Sequence, residues 1–242
     1  MSRKARGHNI GSRVDIGEEL GETLLGDFIA RLVKIHETPI SLADSDLLAS
    51  HLGRIARLGD MHAVIEAQVE QWRHGIKDFG LPPSPLRERA LEWLACNIPG
   101  YSDERRALLH GDYGLHNILI EDGKVSCILD WESSGIGDPA DDLVWLLDAL
   151  RAQIEPQKIV GLYENISGRR ITAERLRYFE VFNALRFIVT CPRALDLFQA
   201  NPAAGIASLD LGLRFTIFGT GRLNETIAAA AVLKRHATSA TI

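Results

Sequence analysis

Apolar residues recur along this chain mostly at helical spacing, three or four positions apart. That spacing predicts amphipathic helices. The predicted helices span residues 20–36, 61–79, 84–97 and 155–168, together with stretches that begin at Asp138 and after Thr172. Ser84 followed by Pro85 supports one of these boundaries, because Ser is a favoured N-cap and Pro a favoured first helical residue.

The last part of the chain has a less regular pattern. Residues 193–235 predict one or two further helices, with a break at the glycines near 219–221. The stretch LDLGLRFTIF alternates between apolar and polar residues as a strand would. We nevertheless favour a helix there, because the rest of this half of the chain is helical.

The pattern changes between the third and fourth predicted helices, where two short apolar runs flank a turn. ILI and VSCIL stand on either side of Glu121-Asp122-Gly123-Lys124, and Asp-Gly supplies the positive φ angles of a tight turn. This predicts a β-hairpin. A hairpin brings its two ends together, so Asn117 at the start should lie near Asp130 at the end.

Three side chains around this hairpin suggest a chemistry. An amide oxygen from Asn117 beside a carboxylate from Asp130 offers hard oxygen ligands, which suit Mg²⁺ held together with substrate phosphates. Asp112 lies in the loop just before the hairpin and could orient or deprotonate an attacking hydroxyl. One carboxylate for the nucleophile, with an Asn and an Asp for metal, is the arrangement that kinases use for phosphoryl transfer.

The same segment carries four motifs that resemble the aminoglycoside phosphotransferase and choline kinase family. The nearer resemblance is to the branch that is similar to the phosphotransferase-like domain of some acyl-CoA dehydrogenases. It extends from about residue 20 to about residue 190. The motifs are His110-Gly111-Asp112, Asn117, Asp130-Trp131-Glu132 and Gly137-Asp138-Pro139 followed by Asp142-Leu143.

The resemblance implies a fold and a reaction. The expected fold is mainly α with a small β-hairpin, as in the C-terminal lobe of the protein-kinase-like fold. The expected reaction is transfer of the γ-phosphoryl group of ATP to a hydroxyl of a small molecule. Asp112 would act on the hydroxyl, Asn117 and Asp130 would hold Mg²⁺, His110 would hold the loop, and Asp142 would brace the loop backbone.

The N-terminal β-lobe of such enzymes has no counterpart in the pattern. We find neither its glycine-rich phosphate loop nor its strand lysine. We therefore predict a flexible arm over residues 1–18 and a kinase-like C-terminal lobe over 19–242. Three explanations stay open: a fragment of a longer enzyme, a chain that works with a separate N-terminal lobe or protein partner, and a family member that binds without catalysing.

Composition narrows the function classes. A net charge of −5 argues against a nucleic-acid partner bound through a basic surface. No stretch predicts a membrane span, and the three cysteines lack metal spacing, so we expect a cytoplasmic protein. A metal-dependent hydrolase is a weaker alternative, because no His-rich ligand set is present.

Other polar residues of the segment have structural interpretations. We expect His36 to be a packed core histidine, Asp138 to cap a helix and Asp141 to face solvent, and we leave His116 unassigned. A non-catalytic binding or interaction module derived from such an enzyme is the main alternative to a kinase. The acceptor stays open among antibiotic, sugar, choline-like and acyl-linked hydroxyls.

Overall fold

A computed structural model describes residues 5–9, 21–40, 55, 58–101, 105–150, 154–193, 196, 199 and 206–239. The chain divides into two compact units. The first unit comprises residues 1–64 and 101–172, and the second comprises residues 65–100 and 173–242. The prediction of a flexible arm and one lobe is not tested by this division and stays a prediction.

Seven longer helices and four short strands form these units within the described residues. In chain order they are α1 (Glu22–His36), α2 (Met61–Asp78), α3 (Pro85–Cys96), β1 (Ala107–Leu109), β2 (Ile118–Glu121), β3 (Lys124–Ile128), β4 (Gly135–Gly137), α4 (Ala140–Leu150), α5 (Pro156–Ser167), α6 (Ala173–Thr190) and α7 (Ile206–Ser239). The mainly helical fold with a small hairpin is thus confirmed. The N-cap at Ser84 is confirmed as well, because its hydroxyl accepts a hydrogen bond from Arg87 N at 3.4 Å.

The strands form two antiparallel pairs. β2 and β3 make the predicted hairpin, with Ile118 opposite Ile128. β1 pairs with β4, with Leu108 opposite Ile136. The sequence pattern did not predict β4, which comprises Gly135–Gly137. Gly-Ile-Gly is too short and too glycine-rich to give a strand pattern, but its backbone completes the ladder of β1.

Residues 5–9 extend the hairpin by one antiparallel bridge. His8 and Ile120 exchange two backbone hydrogen bonds, at 3.0 and 2.9 Å. The hydroxyl of Ser126 donates to the carbonyl of Arg6 at 2.7 Å. The backbone at Gly7 comes so close that a Cβ there would meet the Ile120 carbonyl oxygen at 2.8 Å. This piece of the predicted arm therefore lies against β2.

Helix α1 supplies much of the core of the first unit. Its apolar stripe includes Phe28, Ile29 and Leu32, each fully buried. Phe28 stacks on Tyr113 with ring centroids 4.4 Å apart, and the Tyr113 hydroxyl donates to the Phe28 carbonyl at 2.8 Å. Asp27 accepts a hydrogen bond from Val125 N at 2.8 Å. The helix is thereby tied to the loop and to the hairpin that carry the predicted chemistry.

In the second unit, α7 packs on α6 and runs without interruption. The helical assignment of LDLGLRFTIF is confirmed, but the expected break near residues 219–221 is wrong. The helix continues through Gly219. The missing side chain there lets α6 and α7 approach closely, because a Cβ would meet Phe187 Cβ at 2.6 Å. None of the described helices is both long enough and apolar enough to cross a membrane.

We predict opposite effects of alanine at two of the glycines of α7, Gly219 and Gly221. Gly219→Ala should lower the free energy of unfolding by about 1–3 kcal/mol, because the new methyl group overpacks against Phe187. Gly221→Ala is the matched control, since no described residue of another element lies within 4 Å of a Cβ at that position. That substitution should raise stability by about 0.5–1 kcal/mol through helix propensity. Urea denaturation of both variants measures this, and equal effects would contradict the close packing.

Candidate active site

The structure brings the two ends of the hairpin together as predicted. Asn117 is the last residue before β2, and Leu129 follows β3. Leu129 N donates to the Asn117 carbonyl at 2.7 Å, which closes the base of the hairpin. Asp130 is the next residue along. The loop before β2 contains Asp112, so the three predicted site residues belong to one loop and one hairpin.

The side chain of Asn117 has a defined orientation. It is 6% exposed, and its amide nitrogen lies 2.9 Å from Asp112 Oδ2 and 3.0 Å from the Asp112 carbonyl oxygen. Both partners only accept hydrogen bonds, so the nitrogen must be the atom that faces them. The amide oxygen is left over, and no described residue donates to it. This oxygen is the atom that could ligate a metal.

Asp112 accepts a second hydrogen bond on the same oxygen. His116 Nε2 lies 3.0 Å from Asp112 Oδ2. Burial acts to raise the pKa of Asp112, but the hydrogen bonds and charge of His116, with Asn117 and His110, hold the pKa below its ordinary value. Asp112 is therefore ionised at neutral pH. An ionised carboxylate can accept the hydrogen bond of a hydroxyl group.

Asp130 occupies an unusual backbone conformation. Its φ is 59° and its ψ is 66°, in the left-handed region that Asp and Asn tolerate better than most residues. The side chain is exposed, beside Trp131 at 39% exposure. Three or more His, Cys, Asp or Glu side chains do not cluster anywhere in the described part of the chain. The predicted ligands Asn117 and Asp130 are the residues here that could hold a metal.

The backbone of the Asp112 loop is held by a buried carboxylate. Asp142, in the first turn of α4, accepts hydrogen bonds from His110 N at 2.8 Å and from Gly111 N at 2.7 Å. It is fully buried. The two amides immediately precede Asp112, so Asp142 fixes the backbone that carries Asp112 without being near solvent itself.

Gly111 allows the loop to approach the segment after Asp130. Its φ is +82°, and a Cβ there would meet the Ser133 carbonyl oxygen at 2.0 Å. A side chain is excluded both by the backbone conformation and by the lack of space. Glycine at this position therefore lets the Asp112 loop and residues 131–133 pack directly against each other.

His110 links the loop to the hairpin through both of its ring nitrogens. Its Nε2 lies 2.8 Å from the Leu129 carbonyl, which can only accept, so Nε2 carries the proton. Its Nδ1 then accepts from Asp112 N at 3.3 Å. Both ring nitrogens are engaged, and the ring packs against Trp131 with centroids 4.8 Å apart. The geometry suits a residue that holds the loop.

Asp142 is supported from behind by two further buried side chains. His36 Nε2 donates to Asp142 Oδ2 at 3.0 Å, and His36 Nδ1 lies 2.8 Å from the Tyr163 hydroxyl. Burial raises the pKa of Tyr163 far above its ordinary value, so the hydroxyl that faces Nδ1 keeps its proton. Burial also acts to raise the pKa of Asp142, but His36 and the two loop amides outweigh it and lower that pKa.

The other acidic residues near the start of α4 are structural. Asp138 Oδ1 accepts from Ala140 N at 2.8 Å and caps the helix, as expected. Its Oδ2 accepts from the Tyr101 hydroxyl at 2.9 Å. We expected Asp141 to face solvent, and this was wrong, because it is fully buried. The acidic residues in the first turn of α4 are buried with its apolar residues, and the spacing of apolar residues did not predict this.

Three residues make contacts at the site that the sequence did not predict. His116 contacts Asp112, and Tyr163 contacts His36. Asn9 donates through its amide nitrogen to the carbonyls of His116 and Ile118, the latter at 3.0 Å. The only signal in the sequence was His36, a polar residue on an apolar helical stripe, which requires a buried partner. Nothing near Asn9 or Tyr163 marks them.

Comparison with solved structures identifies the class of fold. A candidate aminoglycoside phosphotransferase from Ralstonia eutropha is similar over 93% of this chain and 71% of its own, with a TM-score of 0.64 and 21% identity. An aminoglycoside phosphotransferase solved as a ternary complex with AMP-PNP and hygromycin B is similar over 95% of this chain and 71% of its own, with a TM-score of 0.52 and 15% identity. The fold is that of the kinase-like phosphotransferases.

Comparison of the sequence with protein families then identifies the family. The profile of the phosphotransferase enzyme family matches residues 12–164, which is more than half of the chain, and the chain belongs to this family. Acyl-CoA dehydrogenase family member 10 of Mus musculus is 33% identical over 102 residues, 41% of this chain and 9% of the relative. Viomycin phosphotransferase of Streptomyces vinaceus is 36% identical over 142 residues, 52% of this chain and 49% of the relative. The chain thus spans about half of one relative and about a tenth of the other.

We predict that Asp112 controls the titration of His116. The hydrogen bond from His116 to Asp112 raises the His116 pKa, burial lowers it, and the charges of Asp112 and Asp130 raise it further, for a net increase. Asp112→Asn should therefore lower this pKa toward the ordinary value of about 6.5. Asp130→Asn should lower it less. NMR titration of the His116 ring measures both, and an unchanged pKa in Asp112→Asn would contradict the pair.

The raised pKa of His116 makes the stability of the folded protein depend on pH. Because the folded-state pKa of His116 is raised, the stabilisation by the charged pair is complete below about pH 6.5. It is lost as the pH rises through the raised pKa.

Proposed function

We propose that this chain carries the catalytic residues of an ATP- and Mg²⁺-dependent phosphotransferase that acts on a hydroxyl of a small molecule. The observation that carries the proposal is the joint placement of Asp112, Asn117 and Asp130 on one loop and one hairpin, in a chain of the phosphotransferase family. Phosphoryl transfer needs little covalent chemistry from the protein, so alignment and charge stabilisation are the main requirements.

Asp112 is the residue proposed to receive the acceptor hydroxyl. Its carboxylate is ionised and 28% exposed, so a substrate can reach it. Its backbone is held through His110 and Gly111 by Asp142. A hydroxyl that donates to this carboxylate is oriented for attack. The carboxylate can take up the proton as the new O–P bond forms, while the bond from the γ-phosphorus to the bridging oxygen breaks and ADP leaves.

Asn117 and Asp130 are proposed to hold the metal. The donor set fits Mg²⁺, which prefers oxygen ligands and commonly has one or two protein ligands besides phosphate oxygens and water. Asn117 presents its amide oxygen because its nitrogen is committed to Asp112, and Asp130 presents an exposed carboxylate. Bound Mg²⁺ would supply charge neutralisation at the nucleotide phosphates. This chain's residues would fix its position relative to Asp112.

The acceptor class is proposed from the relatives. One relative is named viomycin phosphotransferase, and two of the similar solved structures are complexes with hygromycin B and with kanamycin. These names do not transfer directly, because the acyl-CoA dehydrogenase relative matches this chain as well. We propose a small hydroxylated molecule, with viomycin, kanamycin and hygromycin B as the first compounds to assay.

We also propose that a further protein segment covers the nucleotide. The apolar side chains on either side of Asp130 are unusually exposed, Leu129 at 36% and Trp131 at 39%. Apolar surface beside a charged site commonly marks a contact with another group. A separate N-terminal lobe or protein partner that clamps the phosphates would cover it.

Ligand-induced stabilisation tests the nucleotide and metal site. ATP with Mg²⁺ at a hundredfold excess over its dissociation constant should add about 2.7 kcal/mol of stability, measured as a rise in Tm. Asp130→Asn should abolish this rise while keeping the left-handed backbone that Asn tolerates. Asp122→Asn is the matched control, because Asp122 also has a positive φ, of 53°, and lies at the other end of β3. A shift retained in Asp130→Asn would refute the metal assignment.

Turnover tests the role of Asp112. In an active enzyme, Asp112→Ala should lower kcat by about 10²–10⁴-fold, because the group that accepts the hydroxyl proton is lost. The fold should survive, which circular dichroism and the denaturation midpoint will show. Glu121→Gln, an exposed change on the same hairpin, should leave kcat unaltered. Full activity of Asp112→Ala would exclude this residue as the base.

A further inference from the structure

The two oxygens of the Asp112 carboxylate have different surroundings. Oδ2 accepts from His116 Nε2 at 3.0 Å and from Asn117 Nδ2 at 2.9 Å. Two donors fill the acceptor capacity of one carboxylate oxygen. Within the described residues, Oδ1 accepts no hydrogen bond. The carboxylate is thus held by one oxygen and presents the other.

The two donors reach Asp112 from one short turn. Residues Leu115–Asn117 form a single 3₁₀ turn, so His116 and Asn117 are neighbours in the chain that both contact the same oxygen. If either donor were lost, the carboxylate could rotate about its terminal bond, because side-chain torsions of this type are broad. Loss of His116 would leave Asn117 as the single side-chain donor.

Gly114 provides the space in which the His116 ring lies. A Cβ at Gly114 would meet His116 Cε1 at 2.6 Å and Nδ1 at 2.7 Å. The backbone does not require glycine here, because φ is −124° and ψ is 166°, an extended conformation open to any residue. Glycine at position 114 is therefore explained by the ring that packs on it. A methyl group there would displace the ring and leave the backbone unaltered.

The backbone under the ring is also fixed. The amide nitrogen of Asn9 donates to the carbonyl of His116 and to that of Ile118, the latter at 3.0 Å. These two carbonyls flank Asn117. The segment of residues 5–9 thereby holds the backbone of the turn from which the His116 ring projects.

We propose that His116 is a positioning residue for phosphoryl transfer, which together with Asn117 engages Oδ2 of Asp112 and so makes Oδ1 the oxygen that receives the acceptor hydroxyl. Gly114 is the residue that admits the ring. This inference rests on the proposed function, and it assigns a role to a histidine that the metal and base assignments do not use. The proposed role of His116 consists of its hydrogen bond to Asp112 Oδ2.

Steady-state kinetics of single and double variants test this. His116→Ala should lower kcat by between about 10-fold and about 100-fold, the effect of losing one charge-assisted hydrogen bond at the reacting group. The KM for ATP should stay unchanged. Gly114→Ala should have a similar effect, because it displaces the ring. In the double variant that combines Gly114→Ala with His116→Ala, the two losses of kcat should not add, because the ring that Gly114→Ala would displace is already absent.

Two controls separate positioning from a structural role. His116→Gln keeps a side-chain N–H donor, so its kcat should lie between that of the wild type and that of His116→Ala. If His116 had only a structural role, the substitutions would change the denaturation midpoint, and kcat would not follow this order. His62→Ala removes an exposed histidine on α2 and should leave kcat unaltered. The assays use ATP with Mg²⁺ and viomycin, kanamycin or hygromycin B as acceptors.

The outcomes distinguish this inference from the function on which it rests. An active wild type whose kcat is unaffected by His116→Ala, or additive losses in the double variant, would overturn the positioning role alone. A wild type that transfers phosphoryl groups to none of the acceptors tested, and that gains no stability from ATP with Mg²⁺, would overturn the proposed function and this inference with it.

Discussion

The candidate site depends on one buried carboxylate. Asp142 accepts the amide hydrogens of His110 and Gly111 and the ring N–H of His36, and it does so without exposure to solvent. A buried charge is stable only when it is fully hydrogen-bonded, and removal of one partner commonly costs about 3–5 kcal/mol. The carboxylate therefore requires this loop conformation, and the loop conformation in turn places Asp112 at the start of the hairpin.

The hairpin contributes a second constraint, which is geometric. Asn117 and Asp130 lie at the two ends of one hairpin. The β2–β3 ladder fixes their backbones close together, and Leu129 N closes the base on the Asn117 carbonyl. The loop and the hairpin meet where Gly111 packs on Ser133. The candidate ligands therefore lie on fixed elements, and Asp142 holds the loop that carries Asp112. This is the preorganisation that the proposed charge stabilisation requires.

The sequence predicts those features that depend on local pattern. Helical spacing located the helices, and Asp-Gly between two apolar runs located the hairpin and with it the pairing of Asn117 and Asp130. It does not predict features that depend on long-range contact. The β1–β4 pair uses only three residues a side, and α7 passes through Gly219 because another helix lies against it. The Asn9 contacts join residues more than a hundred positions apart.

We propose that Asn117 and Asp130 hold a nucleotide-bound metal beside Asp112. Paramagnetic line broadening by Mn²⁺ tests it most directly, because Mn²⁺ takes the same oxygen ligands as Mg²⁺. With Mn²⁺ and AMP-PNP added to the labelled protein, the resonances of the Asn117 side-chain amide and of the residues around Asp112 and Asp130 should broaden first. Broadening centred elsewhere, such as at the exposed acidic residues Glu121 and Asp122 of the hairpin turn, would contradict the account.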